Sequence, residues 1–156
     1  MIFSQNKNNY FLLFFVTLML SGCTRKKEDA ESDLDKLLEK RYDKLLTYSV
    51  DSLAFPRSYS YKQNAIKKVP SKDWTSGFFA GNLWQLYSLT ENQNYIEKAE
   101  EWTAFIEKEK FNNRTHDMGF KVYNSFGNGL KVKENKQYKN IIVESAKTLS
   151  TRFNNN

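Results

Sequence analysis

Cysteine occurs once in these 156 residues, at Cys23, and histidine once, at His116. One cysteine excludes an internal disulfide, and with a single histidine it cannot fill the four ligand positions of a tetrahedral zinc site. No metal site is therefore expected. Proline occurs only at positions 56 and 70, so the strongest helix breakers are confined to one stretch. There is no glycine-rich phosphate loop and no serine or cysteine motif of a nucleophilic triad. The longest apolar run, FLLFFVTLML at 11–20, has ten residues, too few to cross a bilayer as a helix. Aromatic residues, by contrast, are plentiful: twelve Phe, nine Tyr and three Trp. The formal charge is +6, scattered over lysines such as Lys62, Lys67, Lys68 and Lys72. That scatter reads as a solvated surface, and no recognition module accompanies it, so nucleic acid is not an expected partner.

The apolar run follows Lys7 and leads into Leu20-Ser21-Gly22-Cys23. A cationic start, a ten-residue core and small residues before a cysteine resemble a bacterial lipoprotein signal. The expectation is a signal peptide over 1–22, a lipid-anchored Cys23 and a charged tether over 23–32. The protein would then sit on the outer membrane, facing the periplasm or the cell surface. Removing Lys7 from +6 leaves +5 for the mature part.

Beyond the tether the apolar residues recur at helical spacing. Leu34, Leu37, Leu38, Tyr42, Leu45 and Leu46 predict a helix over about 33–50. The stretch from Pro56 to Pro70 reads as a long loop. An amphipathic helix is predicted over 76–89 and a third over 94–108, with Tyr95, Ile96, Ala99, Trp102, Phe105 and Ile106 on one stripe. Between them Thr90–Asn94 offers several N-caps. Gly127-Asn128-Gly129 predicts a turn, and a fourth helix runs from about 138 or 140 towards Phe153. No run alternates strictly enough to predict a sheet. The expected fold is all-α, built of antiparallel helical hairpins over 33–156, with some apolar stripe left without a partner.

Two short motifs carry what chemistry the chain offers. Trp74-Thr75-Ser76-Gly77-Phe78-Phe79-Ala80-Gly81 opens the second helix, and Thr115-His116-Asp117-Met118-Gly119-Phe120 places Asp117 43 residues past Trp74. Trp74 suits either a core or a rim; its polar neighbours favour a rim, where an indole stacks on a pyranose face. Gly77 and Gly81 permit close approach of a ligand or, more commonly, a packed helix. Asp117 provides a carboxylate for acid/base work or cation stabilisation, His116 a hydrogen-bond donor, and Gly119 a place for a sharp backbone turn. The expected ligand is a sugar.

WTSGFFAGNLWQLY resembles the W-T-x-G-F-x-x-G-x-L-W segment of glycoside hydrolase family 88, the unsaturated glucuronyl hydrolases. HDMGF resembles that family's H-D-x-G-F segment, at matching distance, and the similarity runs from about Phe55 to Phe153. The resemblance implies the first part of an (α/α)6 barrel, acting without a cofactor on oligosaccharides whose terminal uronic acid carries a C4=C5 double bond. It implies that Asp117 is the first catalytic aspartate and that Trp74 and His116 contact substrate. It also implies a second aspartate, the acid/base, farther along than residue 156, so the chain by itself is expected to be inactive or nearly so. The competing expectation is a helical surface lipoprotein that binds glycan without turning it over.

Overall fold

A computed structural model describes residues 33–49, 51 and 53–153. The signal peptide, Cys23 and the tether lie outside these residues. The chain divides between Arg41 and Tyr42 into two units. In the first, residues 33–41 are helical with Leu34 and Leu37 exposed; this helix, α1, runs over 33–46.

The second unit opens with a departure from expectation. Where the sequence reads as a loop, β1 (Phe55–Ser60) and β2 (Ala65–Val69) form an antiparallel hairpin. Its alternation is hidden by a bulge: Pro56 faces Lys68 and Ser58 faces Lys67, leaving Arg57 without a register partner. A two-stranded sheet tolerates the missing proline N–H because every strand is an edge. The turn is closed by Asn64 at φ 47°, a left-handed conformation that asparagine accepts more readily than most residues. Tyr59 donates its hydroxyl hydrogen to the Asn64 side chain. Only the rung at the open end of this ladder, Phe55 opposite Val69, is buried.

Helix α2 (Ser76–Thr90) is more enclosed than the expected amphipathic helix. Phe79, Leu83 and Leu86 are buried, and so are Gly77, Ala80, Gly81 and Trp84 on its other flank. It packs on α3 (Gln93–Ala104) on one side and on a π-helix (Gly119–Gly127) on the other. Trp102 of α3 anchors the first contact, edge-on to Phe79 at 4.9 Å and to Phe55 at 5.2 Å. Trp84 donates its indole N–H to Thr103 at 2.9 Å. The turn between the helices is short because Glu91 takes a left-handed φ of 55° and returns its N–H to Tyr87. Asn92 then caps α3 by accepting from the Asn94 N–H, one of the caps expected from sequence.

α3 stops at Ala104, short of residue 108, and a 3-10 turn (Glu107–Phe111) follows. The expected turn at Gly127-Asn128-Gly129 is absent: the π-helix runs directly into α4 (Asn128–Val132), with Gly127 and Asn128 both helical. Gly129 lies where a methyl group would meet the rings of Tyr138 and Trp84, so close packing explains it better than backbone freedom. α5 (Lys136–Ser150) starts earlier than expected because Asn135 accepts from the N–H groups of Gln137 and Tyr138. It lies against the 3-10 turn and the π-helix. The second unit is thus a set of packed helices with one small hairpin at their entrance.

Candidate functional site

Trp74 is set by the turn that starts α2. Thr75, the residue preceding the helix, offers no side-chain cap. Instead Asp73 Oδ1 accepts from the Thr75 N–H at 2.9 Å and from its hydroxyl at 2.6 Å. The other carboxylate oxygen accepts from Arg57 Nη1 at 3.1 Å. The bulge in β1 is what frees Arg57 for this, since bulges re-aim side chains. The same guanidinium lies 5.9 Å from the Trp74 ring centre, within cation–π range. Burial pushes the Asp73 carboxyl up, but the Thr75 hydrogen bonds and the charge of Arg57 outweigh it, leaving it below its ordinary value.

Trp74 is 44% exposed, a rim position as its polar neighbours suggest. It does not stand alone. Phe78, one turn on, meets it edge-on at 5.9 Å, and Phe120 meets it at 5.7 Å. Phe78 and Phe120 stack at 5.8 Å. Three exposed rings from two distant motifs therefore form one cluster.

Backbone contact makes that cluster possible. A methyl group on Gly77 would lie 2.2 Å from the Lys121 carbonyl oxygen and 2.4 Å from that of Phe120. One on Gly81 would lie 2.8 Å from the Asn124 oxygen. These glycines let α2 touch the π-helix, so packing is their role. Gly119 differs: nothing lies within 4 Å of a methyl group built there, and its φ is not positive. It makes no sharp turn; it opens the π-helix facing free space.

Asp117 sits just before that helix, and Lys121 returns its N–H to the Asp117 carbonyl. Thr115 holds it reciprocally: its hydroxyl accepts the Asp117 N–H at 3.1 Å and donates to Oδ2 at 3.0 Å. Oδ1 faces His116 Nε2 at 3.4 Å, long for a hydrogen bond. The Asp117 side chain is 25% exposed and that of His116 85%. Asp117 is thus fixed yet open on one side, whereas His116 is free to meet a ligand. Contacts join Trp74 to Phe120 and His116 to Asp117; Trp74 and His116 do not touch through any described contact.

Sequence reading missed what holds the two motifs in place. Lys121 is fully buried, its ammonium 3.3 Å from Glu109 Oε2. Glu109 also accepts from Ser71 at 2.7 Å and Asn112 at 2.8 Å, while Ser76 donates to the Ser71 carbonyl at 2.7 Å. Burial pushes the Glu109 carboxyl up, yet hydrogen bonds from Asn112 and Ser71 and the Lys121 charge bring it below its ordinary value. The network ties the loop before α2 to the 3-10 turn and the π-helix. One signal did exist: Lys121 falls beside Val122, Ser125 and Phe126 at helical spacing, on the side that is buried. Among the described residues no group of carboxylates, histidines and cysteines converges as a metal site would require.

No family model matches the chain. An unsaturated glucuronyl hydrolase of Formosa agariphila is 50% identical over 146 residues, covering 91% of this chain and 36% of that protein. The chain therefore spans about a third of the length of this curated relative. The crystal structure of an unsaturated glucuronyl hydrolase specific for heparin superposes with a TM-score of 0.74 at 30% identity, over 82% of this chain and 34% of that one. A variant of the Streptococcus agalactiae unsaturated glucuronyl hydrolase, complexed with dGlcA-GalNAc6S, gives 0.56 at 20% identity, over 76% and 33%. That last likeness is one of fold. The packed helices are those of part of an α/α barrel.

Proposed function

We propose that this chain, similar to unsaturated glucuronyl hydrolases in both sequence and fold, forms part of a cleft that hydrolyses lyase-generated unsaturated uronyl oligosaccharides. The observation that carries the proposal is the joining of Trp74 to Phe120 across the Gly77 backbone contact, three residues from a fixed, half-open Asp117. Rings of this kind hold the apolar face of a pyranose, and the carboxylate lies beside them. In the proposed reaction a proton adds to C4 of the enol ether and water adds its hydroxyl at C5. The resulting hemiketal opens by cleavage of C5–O5, and the C1 hemiacetal so freed expels the rest of the sugar. Asp117 orients or stabilises the reacting ring, while His116 and Trp74 contact it. The heparin specificity of one neighbour and the disaccharide bound to another support a uronyl sugar as ligand.

A second reading, a glycan binder without turnover, is favoured by one feature. Among the described residues Asp117 has Thr115 and His116 as polar neighbours and no second carboxylate. The two are separated by titrating the chain with an unsaturated uronyl disaccharide and following both tryptophan fluorescence and loss of the enol absorbance. The hydrolase reading expects binding that Trp74→Ala abolishes, with any turnover falling ~10²–10⁴-fold in Asp117→Asn while binding persists. Binding with no turnover in either form supports the second reading, and binding indifferent to Trp74→Ala sinks both. Anchoring at Cys23 in the outer membrane belongs to the same proposal: palmitate labelling is expected in the wild type and absent in Cys23→Ala, and equal labelling would refute it.

A further inference from the structure

Trp74 and Phe78 have a second neighbour besides Phe120. On the side of the hairpin they wall a cavity of about 870 Å³, between β1, β2, α2 and the end of α1. That is towards the upper end of the range for small-molecule sites, ~300–1,000 Å³. Tyr42, Tyr48 and Tyr59 supply further rings. Among the described residues its charged lining consists of Lys44, Arg57 and Lys68, with no aspartate or glutamate beside them. Arg57 is already matched by Asp73. Lys44, from α1, and Lys68, from β2, have no carboxylate partner among the described residues. Asn64 accepts from Tyr59 through its carbonyl oxygen, which leaves its amide NH2 as a donor.

Rings with unmatched cations and amide donors suit a hydroxyl-rich ligand carrying negative charge. We propose that this cavity binds an acidic sugar unit, bearing sulfate or carboxylate, of an oligosaccharide longer than the disaccharide held at Trp74 and Asp117. The inference rests on the glycosidase reading and extends it, since Trp74 is shared by both places. A chain threading past that indole would put its reacting end at Asp117 and a later unit against Lys44 and Lys68. The cavity thus makes affinity depend on chain length and on ionic strength.

The test uses the full chain and three probes: an unsaturated uronyl disaccharide, a sulfated heparin-derived tetrasaccharide and its desulfated counterpart. Affinities are measured by calorimetry for the wild type and for the paired variant Lys44→Gln, Lys68→Gln, whose altered side chains are on exposed residues. The tetrasaccharides are expected to bind at least tenfold tighter than the disaccharide. The paired variant is expected to lose about tenfold on a tetrasaccharide, as for charge-assisted hydrogen bonds, and nothing on the disaccharide. A loss confined to the sulfated probe identifies sulfate as the group held; an equal loss on both identifies carboxylate. Disaccharide binding that needs Trp74, with tetrasaccharides no tighter or the lysines without effect, overturns this inference alone. Tetrasaccharide binding that depends on the lysines, with no disaccharide binding, overturns the glycosidase reading and leaves an acidic-sugar site standing.

Discussion

At Gly77 any side chain must displace the carbonyl groups of Phe120 and Lys121, which belong to a helix and cannot swing away. Overpacking against backbone costs ~1–3 kcal/mol or more. Gly77→Ala is therefore expected to lower the melting temperature by several degrees and to weaken sugar binding by parting Trp74 from Phe120. Gly119→Ala is the contrasting case: its methyl group meets nothing within 4 Å, and alanine is a better helix former than glycine by ~0.5–1 kcal/mol. Stability should be unchanged or slightly raised. Thermal unfolding of the two variants decides the matter, and equal losses would contradict the contacts described. From sequence the two glycines look alike, each one residue ahead of a phenylalanine. Only the tertiary neighbours tell a packing glycine from an open one.

Among the elements, α2 and α3 were legible because apolar spacing and the Asn92 cap agree. The hairpin was not. Six and five residues, mostly exposed, with a bulge at Arg57, leave no alternation to read, and the hairpin's burial is confined to Phe55 and Val69. The π-helix was hidden for another reason. Its wider turn shifts the repeat away from 3.6 residues, and its two flanking glycines mimic loop signals. α5 was placed late because Lys136 and Gln137 carry no apolar signal and the start depends on a side-chain cap. Asn135→Ala should cost about 1 kcal/mol, fraying the first turn of α5. Hydrogen exchange at Gln137 and Tyr138, whose N–H groups Asn135 accepts, measures it; unchanged protection would deny Asn135 that role.

For the molecule as a whole, acid and base act through groups at opposite ends of the pH scale. Glu109 and Asp73 are both held below their ordinary values of 4.5 and 3.8. The unfolded chain then binds more protons than the native one at low pH, so their contribution is present above about pH 4.5 and lost as pH falls through the lowered values. Tyr138 is pushed up to about 12 by burial and by Glu100, so the native state keeps a proton that the unfolded chain releases above its ordinary 10.0. Stability should be flat from about pH 5 to 9 and fall on either side. Glu109→Gln should lower the plateau and flatten the acid limb; a limb of unchanged slope would show that Glu109 does not carry it.

The backbone contact at Gly77 and Gly81 also sets the size of the piece that can be moved to another scaffold. Neither motif can be transplanted singly: the tryptophan segment without the π-helix would leave two glycines facing a void, and the aspartate segment would lose the surface that seats Phe120. The smallest portable unit runs from the hairpin to the end of α5, which covers the π-helix and the 3-10 turn, with the Glu109–Lys121 pair inside it.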